Sequence, residues 1–550
     1  MKKIFTLLLF SSVFFSQVFS QCGAPPTQNK IMLLGDSWGY FMNFEGTINK
    51  ELKKCGLSDY RYVTTGNLVV NGADTYDFLE ASRQAEIITL FNQNPDIEVV
   101  HLSIGGNDFL GDWSKNMTPG QVDTLEDEVM FRLDSIIRFL KSAKPGVHIV
   151  WSGYCYTNFE EPITAPGLFQ GSNHPFYGTW SGMDFPSFLE INTLLNEVSQ
   201  LMVDYCALDP QLHFVPETGI LQYTTGQTSP ICCNIQPQGT YQPGTVTMPW
   251  GDVNYPSPMS TMRDYIGLAK DCFHLSPQGY ADFIGYQMQK FYQKFFMDDN
   301  YFLAENNTHT GSVSSTGAVS DTLFLGGNAN AEFATVLSFN TTSMPDTTLA
   351  KASLFLRRKS STGTNPITGN IQVKVKNGNF GATVDVEATD FTATADASGT
   401  PCLQGSNANN EWVRLDLPSS LLPYIKNDAA TQFIISAPGV TNGLGYFYNS
   451  SDPDFAPVLN LVYSNPLSIA EEVSNESFSV YPNPTNGNLT IYNNGTTVQQ
   501  IVITDLLGKT VMIPSISADN SFDISSLSSG MYLVNVSTKN GTTTKRIVKN

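Results

Sequence analysis

The first half of the chain alternates short apolar runs with longer stretches of helical period. The apolar runs predict buried strands at residues 31–34, 98–104 and 147–152. The periodic stretches predict amphipathic helices at residues 40–54, 121–143, 186–204 and 277–296. Such alternation is typical of an α/β domain with a mostly parallel sheet, which binds ligands at the carboxyl ends of its strands. We therefore predict an α/β domain over residues 21–298.

Two segments, residues 156–185 and 220–268, interrupt this alternation. They are rich in proline, glycine and aromatic residues and have little period. Long loops inside a compact domain often form lids or binding walls. The aromatic residues that we expect in such walls are Phe159, Phe176, Trp180, Tyr223, Tyr241 and Trp250. Packing of these rings on their own domain is the alternative.

After a polar linker near residues 299–311, short alternating runs replace the helical periods. They predict strands at residues 323–325, 335–339, 352–355, 371–375, 412–417, 433–436 and 458–463. Regular turns between such strands are typical of a β-sandwich, here over residues 312–465. A smaller β unit follows at residues 478–550. The predicted fold class is multidomain: the α/β domain, a β-sandwich and a small C-terminal β-sandwich.

The N-terminus and the charge predict export. Residues 1–20 have the pattern of a signal peptide, with an apolar run from Ile4 to Phe15 and a cleavage site before Gln21. No later segment is long and apolar enough for a transmembrane helix. Fifty acidic and thirty basic residues give a net charge of −20, which argues against nucleic acid as a partner.

Eight cysteines in a chain with this export signal permit disulfides. Seven lie in the first half, and the isolated Cys402 is expected to be a buried thiol. Paired C-x-x-C spacing is absent from the sequence, which argues against a zinc site. We predict no cofactor and no metal.

Three positions in the α/β half carry the residue types that acyl transfer requires. One predicted strand ends at Gly35-Asp36-Ser37, another ends at Gly106-Asn107, and Asp271 stands three residues before His274. Acyl transfer needs a hydroxyl nucleophile, an imidazole base and a carboxylate that orients the imidazole. We therefore predict Ser37, His274 and Asp271 as the catalytic residues.

An oxyanion hole is predicted from the neighbouring turns. Its donors would be the Asn107 side chain and the backbone N–H groups of Ser37 and Gly72. Asp36 and Asp108 are expected to cap or brace these turns. Each residue alone has an ordinary structural explanation, such as a helix cap for Ser37. Their order along the chain favours catalysis.

In this order, Gly35-Asp36-Ser37, Gly72, Gly106-Asn107 and Asp271-x-x-His274 resemble the SGNH (GDSL-type) hydrolases. The resemblance covers roughly the first half of the mature chain. It implies a flavodoxin-like α/β/α sandwich and hydrolysis of acyl esters on sugars or lipids. Ser37, Gly72, Asn107 and His274 would match the four letters of the name, with Asp271 as the third triad member.

The two β units resemble other families. Residues 337–339, 352–356, 412–416 and 456–463 resemble DNRLRE-type sandwiches of secreted carbohydrate enzymes, which implies a carbohydrate-binding or spacer role. Four ordered motifs, at residues 481–487, 505–509, 529–534 and 545–546, resemble the type A C-terminal sorting domain of the type IX secretion system. That resemblance implies the type IX machinery as a partner and a secreted or cell-surface location.

Together these features predict a secreted serine esterase acting on short-chain acyl esters, such as acetyl esters, of polysaccharides. Gly35-x-Ser37-x-Gly39 also fits the nucleophile elbow of α/β-hydrolases. That interpretation is disfavoured, because Ser37 follows the first strand and Asp271 lies so near His274. A lipase or broad aryl-esterase with the same triad stays open, as does a non-catalytic carbohydrate-binding surface protein.

Overall fold

The computed structural model describes residues 27–226, 238–239, 251–297, 300–368 and 370–464. Toward the C-terminus it describes residues 479–481, 485–492, 498–504, 509–517, 520–528, 530–538 and 541–549. The predicted signal peptide, residues 1–20, lies outside these ranges. The chain forms two compact units, Met1–Tyr463 and Ser464–Asn550.

The α/β half contains helices and strands in alternation. Its α-helices are α1 Ser37–Glu45, α2 Thr47–Lys54, α3 Ala81–Gln93, α4 Gly106–Asp112, α5 Pro119–Ala143, α6 Glu160–Thr164, α7 Tyr177–Gly182, α8 Phe188–Cys206, α9 Ile220–Thr225, α10 Pro277–Gln287 and α11 Gln293–Phe295. Its strands are β1 Gln28–Gly35, β2 Tyr60–Val63, β3 Val99–Ser103, β4 His148–Trp151, β5 Leu212–Phe214, β6 Met262–Tyr265 and β7 Ala269–Leu275.

The first five strands form a parallel sheet in the order β2-β1-β3-β4-β5. This is the flavodoxin-like order. Alternate side chains of β1 enter different cores: Met32 and Leu34 pack on one face of the sheet, and Ile31 and Leu33 on the other. A strand that is buried on both faces reads as a continuous apolar run, which is why the sequence pattern identified it. The predicted α/β/α fold is confirmed.

Two predicted helices are interrupted. The helix expected at residues 40–54 is split between α1 and α2 at Gly46, whose φ of 62° lies in the left-handed region that favours glycine. The helix expected at residues 277–296 passes through a π-helical turn, Met288–Tyr292, between α10 and α11. The apolar period continues across both interruptions, so the pattern alone does not show them.

The middle of the chain is a β-sandwich, as predicted, although its first strand begins at Tyr301, inside the segment predicted as a linker. Its strands are β8 Tyr301–Leu303, β9 Gly311–Ser314, β10 Val319–Ser320, β11 Leu323–Gly327, β12 Glu332–Phe339, β13 Leu349–Gly363, β14 Gln372–Asn377, β15 Ala397–Gly399, β16 Cys402–Gly405, β17 Trp412–Asp416, β18 Thr431–Ser436, β19 Gly443–Phe447 and β20 Val458–Tyr463. The strand pairings are antiparallel, and β13 joins the two sheets, because its first part pairs with β17 and β20 and its last part with β19.

The sandwich packs directly on the α/β half. The buried Arg414 guanidinium donates to Asp59 Oδ1 at 2.9 Å. The Asn460 amide donates to the carbonyl of Met297 at 2.8 Å. Both contacts are buried, so the two parts share one interior rather than a flexible joint.

Cys402, at the start of β16, is disulfide-bonded. The expectation of a buried thiol there is therefore wrong. The sequence could not show this, because disulfide partners are set by distance in the fold rather than by spacing in the chain. Four other cysteines are buried free thiols: Cys55, Cys155, Cys206 and Cys272.

The C-terminal unit is also a small β-sandwich. Its strands are β21 Ser479–Tyr481, β22 Asn488–Tyr492, β23 Val498–Thr504, β24 Thr510–Met512, β25 Ser521–Asp523, β26 Gly530–Thr538 and β27 Gly541–Lys549. They form two antiparallel sheets, β21-β22-β25 and β24-β23-β26-β27, which bury a common core that includes Ile491, Ile503 and Val534. None of the helices in the described ranges has the length and apolar character that a membrane crossing requires.

Candidate active site

Ser37 stands at the junction of β1 and α1. Gly35 ends the strand so close to β3 that a Cβ there would lie 2.7 Å from the Ser103 carbonyl oxygen, so glycine is required. Asp36 then caps α1 by accepting the Trp38 N–H at 2.8 Å. The cap leaves Ser37 as the first helical residue, with its hydroxyl at the carboxyl end of the central strands. The prediction that Asp36 caps this turn is confirmed.

Asp271 and His274 lie on β7, in an antiparallel hairpin with β6. The pairing shifts between Met262↔Leu275 and Asp264↔Lys270, so β7 carries extra residues that form a bulge. A regular strand would point residues three apart to opposite faces, and the bulge removes that obstacle. The Asp271 carboxylate therefore folds back toward His274.

The structure brings Ser37, His274 and Asp271 into one chain of hydrogen bonds. His274 Nδ1 lies 2.9 Å from Asp271 Oδ2, and His274 Nε2 lies 2.7 Å from Ser37 Oγ. Asp271 Oδ1 also accepts the backbone N–H groups of Phe273 and His274 at 3.0 and 2.9 Å. A carboxylate held in this way keeps the proton on Nδ1 and leaves Nε2 free to accept the serine proton.

The loop that contains Gly72 is fastened beside the same turn. Its preceding segment pairs with the end of β1, since the Val70 N–H donates to the Gly35 carbonyl at 3.0 Å. The Asn107 amide, at the start of α4, donates to the Ala73 carbonyl at 2.7 Å. Gly72 has a φ of 79° and lies between these two attachments. The structure thus brings Asn107 and the Gly72 loop together, while the Gly72 N–H as an oxyanion donor stays a prediction.

Tyr154 links the serine turn to the Asn107 turn, which the sequence did not reveal. Its hydroxyl donates to Asp36 Oδ2 at 2.6 Å and accepts the Gly106 N–H at 2.9 Å. A Cβ on Gly106 would lie 2.7 Å from the Tyr154 ring, so this contact also requires glycine. The phenol therefore fixes the spacing between the hydroxyl of Ser37 and the amide of Asn107.

Burial of the Asp36 carboxyl raises its pKa to about 6. Because the unfolded pKa is lower, the folded state binds this proton more tightly, and stability falls as pH rises through about 4 to 6. We expect this group to lower the free energy of unfolding by up to about 3 kcal/mol across that window. Urea unfolding of wild type and Asp36→Asn from pH 4 to pH 7 measures the effect. The variant retains a capping oxygen, and a difference in stability that does not change with pH would contradict the prediction.

Asp108 holds the Gly72 loop through a buried network. Its carboxylate accepts the Thr75 hydroxyl at 2.6 Å and the Thr75 N–H at 3.1 Å. Arg132, from α5, donates to Asp108 at 3.2 Å and to the Thr75 oxygen at 2.6 Å. Burial raises the pKa of Asp108, and these donors oppose that shift. The prediction that Asp108 braces its turn is confirmed.

Arg132→Met should destabilise the protein by about 3–5 kcal/mol, because it leaves a buried carboxylate without its cation. Chemical denaturation measures the change. Arg138→Met is the matched control on the same helix, since Arg138 is 78% exposed where it pairs with Asp134. The control should cost less than about 1 kcal/mol. An equal loss of unfolding free energy in the two variants would show that the Asp108 network stabilises the fold no more than an exposed ion pair does.

Aromatic rings surround His274, with centroids 4.9 Å away for Phe41 and 6.1 Å away for Phe176. Phe176 thus belongs to the wall predicted from the first inserted segment, whereas Phe159 is buried behind Phe273. The predicted wall residues Tyr241 and Trp250 lie outside the described residues.

His174, the one histidine of the first inserted segment, makes two structural hydrogen bonds. Its Nε2–H donates to the Lys270 carbonyl at 3.1 Å, and its Nδ1 accepts the Phe176 N–H at 3.2 Å. Burial lowers the pKa of His174. Within the described ranges, no three His, Cys, Asp or Glu side chains are grouped to hold a metal ion.

A cavity of about 60 Å³ opens beside Ser37 and Asn107. It extends between α4, α5 and α8, and most of its lining side chains are apolar. Ser37 itself is 5% exposed and His274 is 9% exposed. The reactive groups are therefore screened from bulk water, which strengthens electrostatic interactions among them.

Similarity to known proteins differs between the two ends of the chain. Among solved structures, the chain is similar to a carbohydrate esterase family 3 protein from Talaromyces cellulolyticus (13% identity, 48% of this chain, 96% of that chain, TM-score 0.26). It is also similar to a family 3 carbohydrate esterase from Clostridium thermocellum (16% identity, 48% of this chain, 94% of that chain, TM-score 0.25). A third similar structure is a GDSL-like lipase from Bacteroides thetaiotaomicron (14% identity, 48% of this chain, 88% of that chain, TM-score 0.25). TM-scores and identities this low do not support a conclusion about the activity of this protein.

A comparison with curated proteins finds no match to this chain. Residues 479–550 match the family described as the secretion system C-terminal sorting domain. This match confirms the resemblance that the terminal motifs indicated. The C-terminal segment is therefore a sorting domain, and it marks the protein for secretion or attachment to the cell surface.

Proposed function

We propose that the α/β half is a serine esterase that hydrolyses short-chain carboxylic esters. One observation carries this proposal: the hydroxyl of Ser37, the imidazole of His274 and the carboxylate of Asp271 form an unbroken chain at 2.7 and 2.9 Å. Ser37 lies at the carboxyl end of a parallel sheet, and ligands of such folds bind at that end.

In the first half-reaction, Ser37 Oγ attacks the acyl carbon while His274 Nε2 takes the hydroxyl proton. The carbonyl oxygen becomes an oxyanion. The Asn107 amide and the backbone N–H groups of Ser37 and Gly72 would donate to it. His274 then gives its proton to the departing alcohol oxygen, and the acyl group stays bonded to Ser37.

In the second half-reaction, water attacks the acyl carbon and gives a proton to His274 Nε2. The bond to Ser37 Oγ breaks, the proton returns to Oγ, and the carboxylic acid leaves. Asp271 stabilises the imidazolium in both halves through Nδ1–H, with no proton transfer of its own. The scheme uses only side-chain and backbone groups of this protein, the ester and water.

The proposed reaction predicts covalent labelling at one serine. The full chain should hydrolyse p-nitrophenyl acetate or butanoate, and a fluorophosphonate should modify the peptide that contains Ser37. Mass spectrometry locates the label. No hydrolysis and no label on a folded sample would favour a non-catalytic carbohydrate-binding protein instead. Hydrolysis with the label elsewhere would exclude this serine.

We also propose that the ester is carried on a polysaccharide and that residues 1–20 direct export of the protein. The sandwich supports the polysaccharide substrate only by association, because it packs on the α/β half and its sequence resembles modules of carbohydrate enzymes. A pull-down of the full chain on acylated and deacylated glycans tests the binding role. Release of acid from the same glycans separates a glycan esterase from a lipase or broad aryl-esterase. Retention on none of them would make the sandwich a spacer.

Asn107→Ala should lower kcat by about 10²–10³ with little change in KM, because it removes a donor that acts on the transition state. Steady-state kinetics with a nitrophenyl ester measure the loss. Asn116→Ala is the control, since Asn116 is an exposed residue shortly after α4. If both variants keep wild-type kcat, the Asn107 amide does not belong to the oxyanion hole.

A further inference from the structure

The cavity beside Ser37 has a long apolar wall. On α8 the lining residues are Ile191, Leu194, Leu195, Val198, Leu201 and Met202. Their spacing of three and four residues places them on one face of the helix. At a rise of 1.5 Å per residue, this face is about 16 Å long. A volume of about 60 Å³ beside a face of this length leaves room for a slender group rather than a bulky one.

The geometry decides which arm of an ester would enter this cavity. His274 Nε2 must reach the departing alcohol oxygen, so the alcohol arm lies on the histidine side. Ser37 and Asn107 line the cavity, whereas His274 and Asp271 do not. The arm that enters the cavity is therefore the acyl arm, which stays bonded to Ser37 when the alcohol leaves.

The lining and the volume set the chemistry of that arm. Hydroxyl groups buried against apolar walls would lose their hydrogen bonds, whereas each buried methylene strengthens binding about fourfold. An apolar cavity of about 150 Å³ holds a benzene ring. By that measure, about 60 Å³ holds two or three carbons beyond the carbonyl.

We propose that this cavity is the acyl-binding pocket and that it selects linear acyl groups of butanoyl size. The proposal rests on the esterase function proposed above and narrows its substrate. An acetyl group leaves most of the cavity empty, and a chain of eight or more carbons exceeds its volume. The alcohol, whether a sugar or another group, stays outside on the histidine side.

The test is a series of p-nitrophenyl esters from acetyl to dodecanoyl with the full chain. Each kcat/KM is divided by the spontaneous hydrolysis rate of the same ester. We expect butanoyl to exceed acetyl about sixteenfold, from two buried methylenes, and octanoyl to fall below butanoyl. An optimum at acetyl or at dodecanoyl would overturn the pocket assignment while leaving the esterase intact. Absence of any hydrolysis would instead refute the esterase.

Two variants of one residue place the selection in the cavity. Val198→Phe should fill the cavity and lower butanoyl hydrolysis to the level of acetyl hydrolysis. Val198→Ala should enlarge it and shift the optimum toward hexanoyl. Thr193→Phe, on the exposed face of the same helix, is the control and should keep the wild-type profile. If Val198→Phe does not fold, the wild-type profile and Val198→Ala decide. An unchanged profile in Val198→Ala would place acyl selection elsewhere.

Discussion

Ser37→Ala should lower kcat by about 10⁵–10⁶, because the covalent route disappears and only binding and the oxyanion donors remain. The fold should be retained, since Asp36 rather than Ser37 caps α1. Ester hydrolysis and fluorophosphonate labelling measured on the same sample check the prediction, with circular dichroism as the test of folding.

The matched control for that variant is Ser135→Ala on α5. Its hydroxyl donates to the Phe131 carbonyl of its own helix at 2.9 Å. The control should keep wild-type kcat. Activity of Ser37→Ala within about tenfold of wild type would mean that another group is the nucleophile, and the proposed reaction would then fail.

Asp271→Asn should lower kcat by about 10⁴ while KM changes little. Asp271 uses both oxygens as acceptors: Oδ2 faces His274 Nδ1, and Oδ1 faces two backbone N–H groups. Asparagine has one oxygen, so its NH₂ must face a donor in either orientation. If it faces Nδ1, the proton moves to Nε2, and the imidazole cannot accept the Ser37 proton.

The control for the carboxylate is Asp264→Asn on the neighbouring strand β6. Asp264 is 70% exposed and pairs with Lys270 at 2.8 Å, away from His274. Its variant should keep wild-type kcat. The rate of fluorophosphonate labelling at Ser37 should fall in Asp271→Asn in parallel with kcat, because both depend on the same proton transfer. A kcat within tenfold of wild type in Asp271→Asn would remove Asp271 from the triad.

Sequence patterns predicted helices and strands correctly where the hydrophobic period alone determines the element. The apolar run of residues 31–34 identified β1, and the period of residues 121–143 identified α5, which the structure extends by two residues to Pro119. Patterns failed where chain geometry changes without a change in period, as at Gly46 and in the bulge of β7. They also failed for Cys402, because disulfide pairing depends on distance in space.

The sequence by itself determined the class of the fold, three of the five strands of the parallel sheet, the sorting motifs and the types of reactive side chains, since period and turn chemistry are local properties. Only the tertiary structure decided that Ser37 and His274 meet across 237 positions. It alone showed that Tyr154 joins two turns and that α8 lines an apolar cavity beside Ser37. These features depend on how distant segments pack, and packing is a property of volumes and distances that no short stretch of sequence contains.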